Sequence, residues 1–131
     1  MKNCNTTMTI GMDLGSRKHD ICILDGDGKV VVEEQVESSV EAVLEYFSHI
    51  VDRGSVTVAM EAGTHSRWVS EMLSGMGFSV LVGNPRKLRM IWNSDNKNDR
   101  RDAEMLARIA RMDPRLLSPI RHRRCQAHMD L

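Results

Sequence analysis

The four-residue turn Asp25-Gly26-Asp27-Gly28 constrains the first third of the chain more than any other feature. Asp-Gly pairs supply the backbone conformations that tight β-hairpin turns require. Residues 19–24 before the turn alternate apolar and polar side chains, and residues 29–36 after it are rich in valine. Residues 7–14 show the same alternation, which is typical of strands. We therefore predict three antiparallel strands joined by short turns.

Beyond residue 37 the apolar side chains change to helical spacing. Ser38 and Glu41 match a capping box for a helix that continues to Asp52 and stops at Gly54. The later predicted elements are a buried strand over 55–60, a helix capped by Thr64 or Ser66, a strand over 78–82, a short helix from Asn84-Pro85 and a helix over 99–112. The order β-β-β-α-β-α-β-α predicts an α/β fold with a mixed sheet and helices on both of its faces.

The size and composition of the chain fit one globular domain. It has 131 residues, of which 41% are hydrophobic, and no apolar run reaches the ~18 residues of a membrane span. We predict a domain over 1–120, followed over 121–131 by the start of a linker or helix that is cut short, so we expect a fragment of a longer cytoplasmic protein. The cysteines, Cys4, Cys22 and Cys125, are expected to be unpaired thiols. The predicted sheet core is Ile10, Met12, Ile21, Ile23, Val56, Val58 and Val80.

Charge is divided unevenly along a chain whose net charge is zero. Residues 1–84 carry 6 Lys/Arg against 12 Asp/Glu, whereas residues 85–131 carry 12 against 6. Such asymmetry is typical of proteins that bind nucleic acid, although a solvated helix surface has the same composition. The candidate phosphate-binding residues of the basic half are Arg86, Lys87, Arg89, Lys97, Arg100 and Arg101.

Four carboxylates occupy positions that suggest a metal site. Asp13 lies in the first predicted strand, Glu61 directly follows the buried fourth strand, and Asp99 and Asp102 share one helix face. A cluster of carboxylates suits Mg²⁺ or Mn²⁺. Each residue also has an ordinary structural interpretation, as a turn residue, a cap or a first-turn acid. We expect Asp13 and Glu61 on neighbouring strands, the pair Asp99 and Asp102 away from them when no ion is bound, and a mobile stretch over 93–98.

Three segments resemble the DEDD transposases of insertion-sequence family one hundred and ten, whose members are RNA-guided recombinases. They are Gly11-Met12-Asp13-Leu14-Gly15, Met60-Glu61-Ala62-Gly63-Thr64 and Lys97-Asn98-Asp99-Arg100-Arg101-Asp102-Ala103. The resemblance covers roughly residues 8–125 and implies a RuvC-like, RNase H-type fold.

The resemblance also implies a function. Asp13, Glu61, Asp99 and Asp102 would be the catalytic metal ligands of a DNA recombinase that uses Mg²⁺ or Mn²⁺. DNA and a guide (bridge) RNA would be its partners, and the full-length protein would be a homo-oligomer. In this family a C-terminal domain supplies a nucleophilic serine, so we expect the isolated chain to be incomplete for recombination.

Two other interpretations stay open at this point. Asp13-Leu14-Gly15-Ser16 followed by the 25–28 turn is similar to the first phosphate hairpin of actin-like and sugar-kinase nucleotide-binding domains. A non-catalytic RNA-binding assembly module is the other alternative, and it would depend on the basic residues alone.

Overall fold

The fold is described from a computed structural model, which covers residues 7–92 and 102–117. Its strands are β1 (Met8–Asp13), β2 (Lys18–Leu24), β3 (Val30–Glu37), β4 (Val56–Glu61) and β5 (Ser79–Gly83). Its helices are α1 (Val40–Ser48), α2 (Ser66–Gly75), α3 (Pro85–Trp92) and α4 (Asp102–Met112), with short 3₁₀ turns at Arg53–Ser55 and Pro114–Leu117.

The five strands form one mixed sheet in the order β3-β2-β1-β4-β5. β1, β2 and β3 pair antiparallel, as the turn residues predict, and β4 and β5 extend the sheet in parallel from β1. In the β2–β3 turn, Asp25 Oδ1 accepts from the backbone N–H groups of Asp27 and Lys29, each at 2.9 Å, and Gly28 has a φ of +85°. The predicted α/β fold with a mixed sheet is confirmed.

The helices cover both faces of the sheet. α1 and α2 lie on one face, where Ile10, Met12 and Val58 are fully buried against Val43, Phe47 and Leu73. On the other face α4 crosses β1, β2 and β4, and Leu106 and Ile109 pack with Ala59 and with Leu88 of α3. The predicted core is correct except for Val80, which is only partly buried.

A glycine allows α4 to lie directly on the centre of the sheet. A Cβ added to Gly11 in β1 would stand 2.0 Å from the carbonyl oxygen of Ala103 and 2.8 Å from the backbone nitrogen of Ala107. The helix therefore contacts the strand backbone to backbone. At the other end of α4, Arg108 Nη1 donates to Gly28 O at 3.1 Å and Arg111 Nη2 donates to Gly26 O at 2.8 Å, which ties the helix to the β2–β3 turn.

The predicted helix caps are wrong. Ser39, not Ser38, begins α1, and its Oγ accepts from the Ala42 N–H at 3.1 Å. α1 also ends at Ser48 rather than Asp52, with His49 as its C-cap residue, and Asp52 adopts a left-handed conformation (φ 52°) before the 3₁₀ turn. Neither Thr64 nor Ser66 caps α2. The N-cap residue of α2 is His65, and its side chain makes no capping hydrogen bond.

Two separate helices follow β5, as the sequence predicts. α3 begins at Pro85 and is the predicted short helix, and α4 is the predicted longer helix, described from Asp102 to Met112. The eight-element order counts only one of them. The predicted start of the last helix at Asp99, the stretch 93–98 and the segment 121–131 lie outside the described residues. In the described part of the chain, Cys22 is buried, and no helix there has the length and apolar character needed to cross a membrane.

The contact at Gly11 leads to a stability prediction. We expect Gly11→Ala to lower the free energy of unfolding by at least about 2 kcal/mol, because the added methyl group overlaps the α4 backbone. Gly75→Ala is the control: it closes α2, nothing lies within 4 Å of its added Cβ, and it should be neutral or mildly stabilising. Urea denaturation measures both, and a neutral Gly11→Ala would contradict the close contact.

Candidate active site

Asp13 and Glu61 lie side by side at one edge of the sheet. Each is the last residue of its strand, and the parallel register that pairs Met12 with Met60 brings the two carboxylates next to each other. Both side chains are half-buried and face α4. α4 covers Gly11 in β1 and Ala59 in β4. Asp13 and Glu61 lie two residues after these positions and therefore on the same face of the sheet. The expectation that these two residues lie on neighbouring strands and share one face is confirmed.

Asp102 lies close to this pair. It is the first residue of α4, directly before Ala103, whose carbonyl contacts Gly11 two residues away from Asp13. Asp102 and Asp13 line the same cavity. The expectation that Asp102 lies away from the strand carboxylates without an ion is therefore wrong, because the packing of α4 on Gly11 fixes its position. Asp99 lies outside the described residues.

The crowding of carboxylates changes the acidity of Asp13. Burial, followed by the negative charges of Asp102, Asp20 and Glu61, raises the pKa of Asp13 from 3.8 to about 6. Each of these effects disfavours the carboxylate form. The site is therefore a place where negative charge is concentrated and where a bound cation would be stabilised.

Asp20 is a site residue that the sequence analysis missed. It stands directly opposite Asp13 in the antiparallel β1–β2 pair, and its Oδ1 accepts from Gln35 Nε2 of β3 at 2.8 Å. The alternation of β2 contained a signal, because Asp20 falls on the strand face opposite to Ile21 and Ile23. The alternation alone does not give the β1–β2 register, and it is this register that places Asp20 beside Asp13.

Two cavities meet at Asp13. The first has a volume of about 320 Å³ and extends over β2 and β3, and its polar lining residues are Asp13, Asp20, Glu33, Glu34, Gln35, Asp102 and Glu104. The second lies between the loops that follow β1 and β4, and its lining includes Asp13, Gly15, Ser16, Glu61, Gly63, Thr64 and His65. Asp13 is thus shared between an acidic groove and a pocket lined by small, hydroxyl and imidazole groups.

Two histidines support the loops of the second cavity. His19 is fully buried, and its Nδ1 accepts from the Gly15 N–H at 3.2 Å, which fixes the turn after Asp13. Burial, with a smaller effect of His65, lowers the pKa of His19, so the ring is neutral and able to accept this bond. His65 Nδ1 in turn accepts from Trp68 Nε1–H at 3.0 Å. We assign these rings a structural role.

The predicted basic residues are described only in part. Arg86 and Lys87 lie exposed in the first turn of α3, where Asn84 Oδ1 accepts from their N–H groups at 2.8 and 3.4 Å. This turn follows the carboxyl end of β5, and β5 ends at Gly83 directly beside Glu61. The side chain of Arg89, and Lys97, Arg100 and Arg101 as a whole, lie outside the described residues.

The donors at this edge fit a hard divalent cation by their chemistry. Asp13, Glu61 and Asp102 offer carboxylate oxygens only, which suit Mg²⁺ or Mn²⁺ and disfavour zinc. Within residues 7–92 and 102–117, however, no three His, Cys, Asp or Glu side chains are already arranged to hold an ion. The assignment of Asp13, Glu61, Asp99 and Asp102 as catalytic metal ligands stays a prediction.

The chain matches a protein family and a curated relative. The family model described as Transposase, for the DEDD type of insertion-sequence family one hundred and ten, matches residues 10–129. A Sinorhizobium fredii protein named as a transposase, y4uE, is 30% identical over 115 residues, which are 80% of this chain and 32% of that protein. The chain thus spans about a third of the length of this relative.

Two solved structures share the fold. RuvC of T. thermophilus, solved in complex with a Holliday junction substrate, has a TM-score of 0.52 at 13% identity, over 82% of this chain and 96% of that one. The Holliday junction resolvase of fowlpox virus has a TM-score of 0.54 at 12% identity, over 82% and 98%. The expected RuvC-like, RNase H-type fold is confirmed.

The raised pKa of Asp13 predicts a pH-dependent stability in EDTA. Because the folded state holds this proton more tightly than the unfolded state, Asp13 stabilises the fold below pH 4 and loses that contribution as the pH rises through about 6. Near pH 7, Asp13→Asn should therefore be more stable than the wild type, by about 1–2 kcal/mol for this partly solvated carboxyl.

Denaturation between pH 4 and 7.5 measures this difference. The buried, neutral His19 has the opposite pH dependence but is common to both proteins, so it cancels. Asp27→Asn, exposed in the β2–β3 turn, is the control and should keep the wild-type pH profile. Parallel profiles for the wild type and Asp13→Asn would contradict the raised pKa.

Proposed function

Because the chain belongs to the DEDD transposase family, we propose that it is the metal-dependent catalytic domain of an enzyme that cleaves and rejoins DNA. The observation that supports this most directly is the convergence of Asp13, Glu61 and Asp102 at one edge of the sheet. These residues come from three distant parts of the sequence, and in a RuvC-like fold they gather where the parallel strands end.

In this proposal the carboxylates bind Mg²⁺ or Mn²⁺, and Asp99 completes the set. A divalent cation bound to such ligands stabilises the charge that develops on a phosphodiester and lowers the pKa of a bound water. Asp13 must lose its proton to act as a ligand, so binding is favoured above its pKa of about 6. The half-burial of Asp13 and Glu61 limits their contact with water and strengthens their interaction with a cation.

The charges around the site suggest the side from which DNA approaches. The groove over β2 and β3 is lined by acidic residues, including Glu33 and Glu104, and would repel phosphates. Arg86 and Lys87 lie on the opposite side, beyond the end of β5. We therefore place the DNA backbone over the start of α3 and the second cavity.

The remaining parts of the reaction rest on the family resemblance. A guide RNA that pairs with DNA, a homo-oligomeric assembly and a nucleophilic serine from a further domain are the partners that this resemblance implies. This domain would contribute the metal ligands, and the complete strand exchange would need those partners.

Metal binding tests the proposed function. We expect the 131-residue chain to bind Mn²⁺, measured by electron paramagnetic resonance, and the affinity to rise with pH through about 6 as Asp13 loses its proton. Asp13→Asn should abolish measurable binding, whereas Asp27→Asn should leave it unchanged.

A full-length member of the family extends this test to catalysis. There, the change equivalent to Asp102→Asn should retain DNA binding and lose strand exchange. A chain that binds no Mn²⁺ above pH 7, or binding that survives Asp13→Asn, would contradict the metal-dependent site.

The position of α3 leads to a DNA-binding prediction. Lys87→Glu should weaken binding of single- and double-stranded DNA of any sequence, and it should reduce the salt dependence of the affinity, because phosphate contacts carry no sequence information. Lys29→Glu makes the same charge change on an exposed residue next to the β2–β3 turn, at the opposite end of the sheet. Fluorescence anisotropy over a range of salt concentrations measures both, and equal effects would argue against an interface at α3.

A further inference from the structure

A row of polar side chains crosses four strands at the end of the sheet that holds the site. In strand order it consists of Gln35, Asp20, Asp13 and Glu61, each directly beside the next. Opposed residues of an antiparallel pair have Cβ atoms about 5 Å apart on the same face of the sheet. Asp13 therefore has a carboxylate neighbour on each side, Asp20 on β2 and Glu61 on β4.

The cavities group Asp20 with the site. Asp13, Asp20 and Asp102 line one groove, whereas Glu61 shares only the second cavity with Asp13. Asp20 thus lines the same groove as Asp13 and Asp102, and it is the strand carboxylate of this groove that is paired directly with Asp13.

The Asp20 side chain is held in place. Gln35 Nε2 donates to Asp20 Oδ1 at 2.8 Å, and Lys18 Nζ donates to Gln35 Oε1 at 3.4 Å, which orients the amide of Gln35. The two bonds run across β2 and β3 and leave Asp20 Oδ2 without a bond to Gln35. An exposed aspartate gains little stability from such an arrangement, which instead fixes the direction of its charge.

We propose that Asp20, oriented by Gln35, is a further residue of the metal site that strengthens divalent-cation binding at Asp13 and Asp102. This inference rests on the proposed metal-dependent function. Asp20 acts as a positioning residue: it adds a fixed negative charge beside the ligands, in the way that outer carboxylates assist metal sites. In the absence of metal the same charge repels Asp13 and opposes folding.

The test compares Mn²⁺ affinity and metal-free stability in the same variants. Asp20→Asn keeps an oxygen that can accept from Gln35 and removes only the charge. It should weaken Mn²⁺ binding by roughly 10-fold and raise the Tm measured in EDTA. Gln35→Ala should weaken Mn²⁺ binding by a smaller factor, because Asp20 keeps its charge but loses its orientation. A purely structural role for Asp20 would lower the Tm and leave the affinity unchanged.

Glu33→Gln is the matched control. Glu33 lines the same groove and lies on β3 two residues before Gln35, on the same face of the strand. Its partner on β2 is Cys22, whereas Gln35 is paired with Asp20. An Mn²⁺ affinity for Asp20→Asn equal to that of the wild type, or equal losses for Asp20→Asn and Glu33→Gln, would overturn the inference. Either result, with Asp13→Asn still abolishing binding, would leave the proposed function intact, whereas Mn²⁺ binding that survives Asp13→Asn would refute that function.

Discussion

The close contact between α4 and β1 at Gly11 is the constraint on which the rest of this structure depends. Without a Cβ at this position, the backbone of Ala103 lies directly on the strand. The contact covers the central strand on one face, and it also places Asp102 within reach of Asp13. A single residue therefore links the packing of the domain to the geometry of its site, and the repulsion between the carboxylates is balanced by this packing.

The sequence predicts the sheet better than the ends of the helices. The Asp25–Gly28 turn and the period-2 segments establish the β1–β2–β3 meander, since these signals are local. Helix caps depend on one residue, and the neighbouring serines Ser38 and Ser39 offer equivalent side chains, so the spacing to Glu41 favoured the wrong one. The helical spacing of apolar residues continues past Ser48 to Ile50 and Val51, so the spacing does not show that α1 ends at Ser48.

The sequence identifies Asp13 and Glu61 as candidate site residues, but it does not predict which other residues lie beside them. Asp13 and Glu61 stand out because carboxylates at the ends of apolar strands are costly to bury unless they are paired, hydrogen-bonded or bound to a metal ion. Asp20 belongs to an ordinary alternating strand, and only the pairing of β1 with β2 shows that it faces Asp13. The position of Asp102 follows from the tertiary contact at Gly11. Contacts between segments distant in the sequence thus determine which carboxylates join the site, and local sequence patterns do not show these contacts.

The strand order has a consequence for the sequence of events during synthesis on the ribosome. β1 is made first but lies at the centre of the sheet, and its parallel neighbour β4 emerges only after β2, β3 and α1. The antiparallel meander, with its short turns, can form early, while the long-range pairing of β1 with β4 closes slowly. Asp13 and Asp102 are separated by almost the whole described chain, so the nascent domain lacks its full set of carboxylates until α4 has emerged and docked. The proposed metal site is therefore completed only at a late stage of folding.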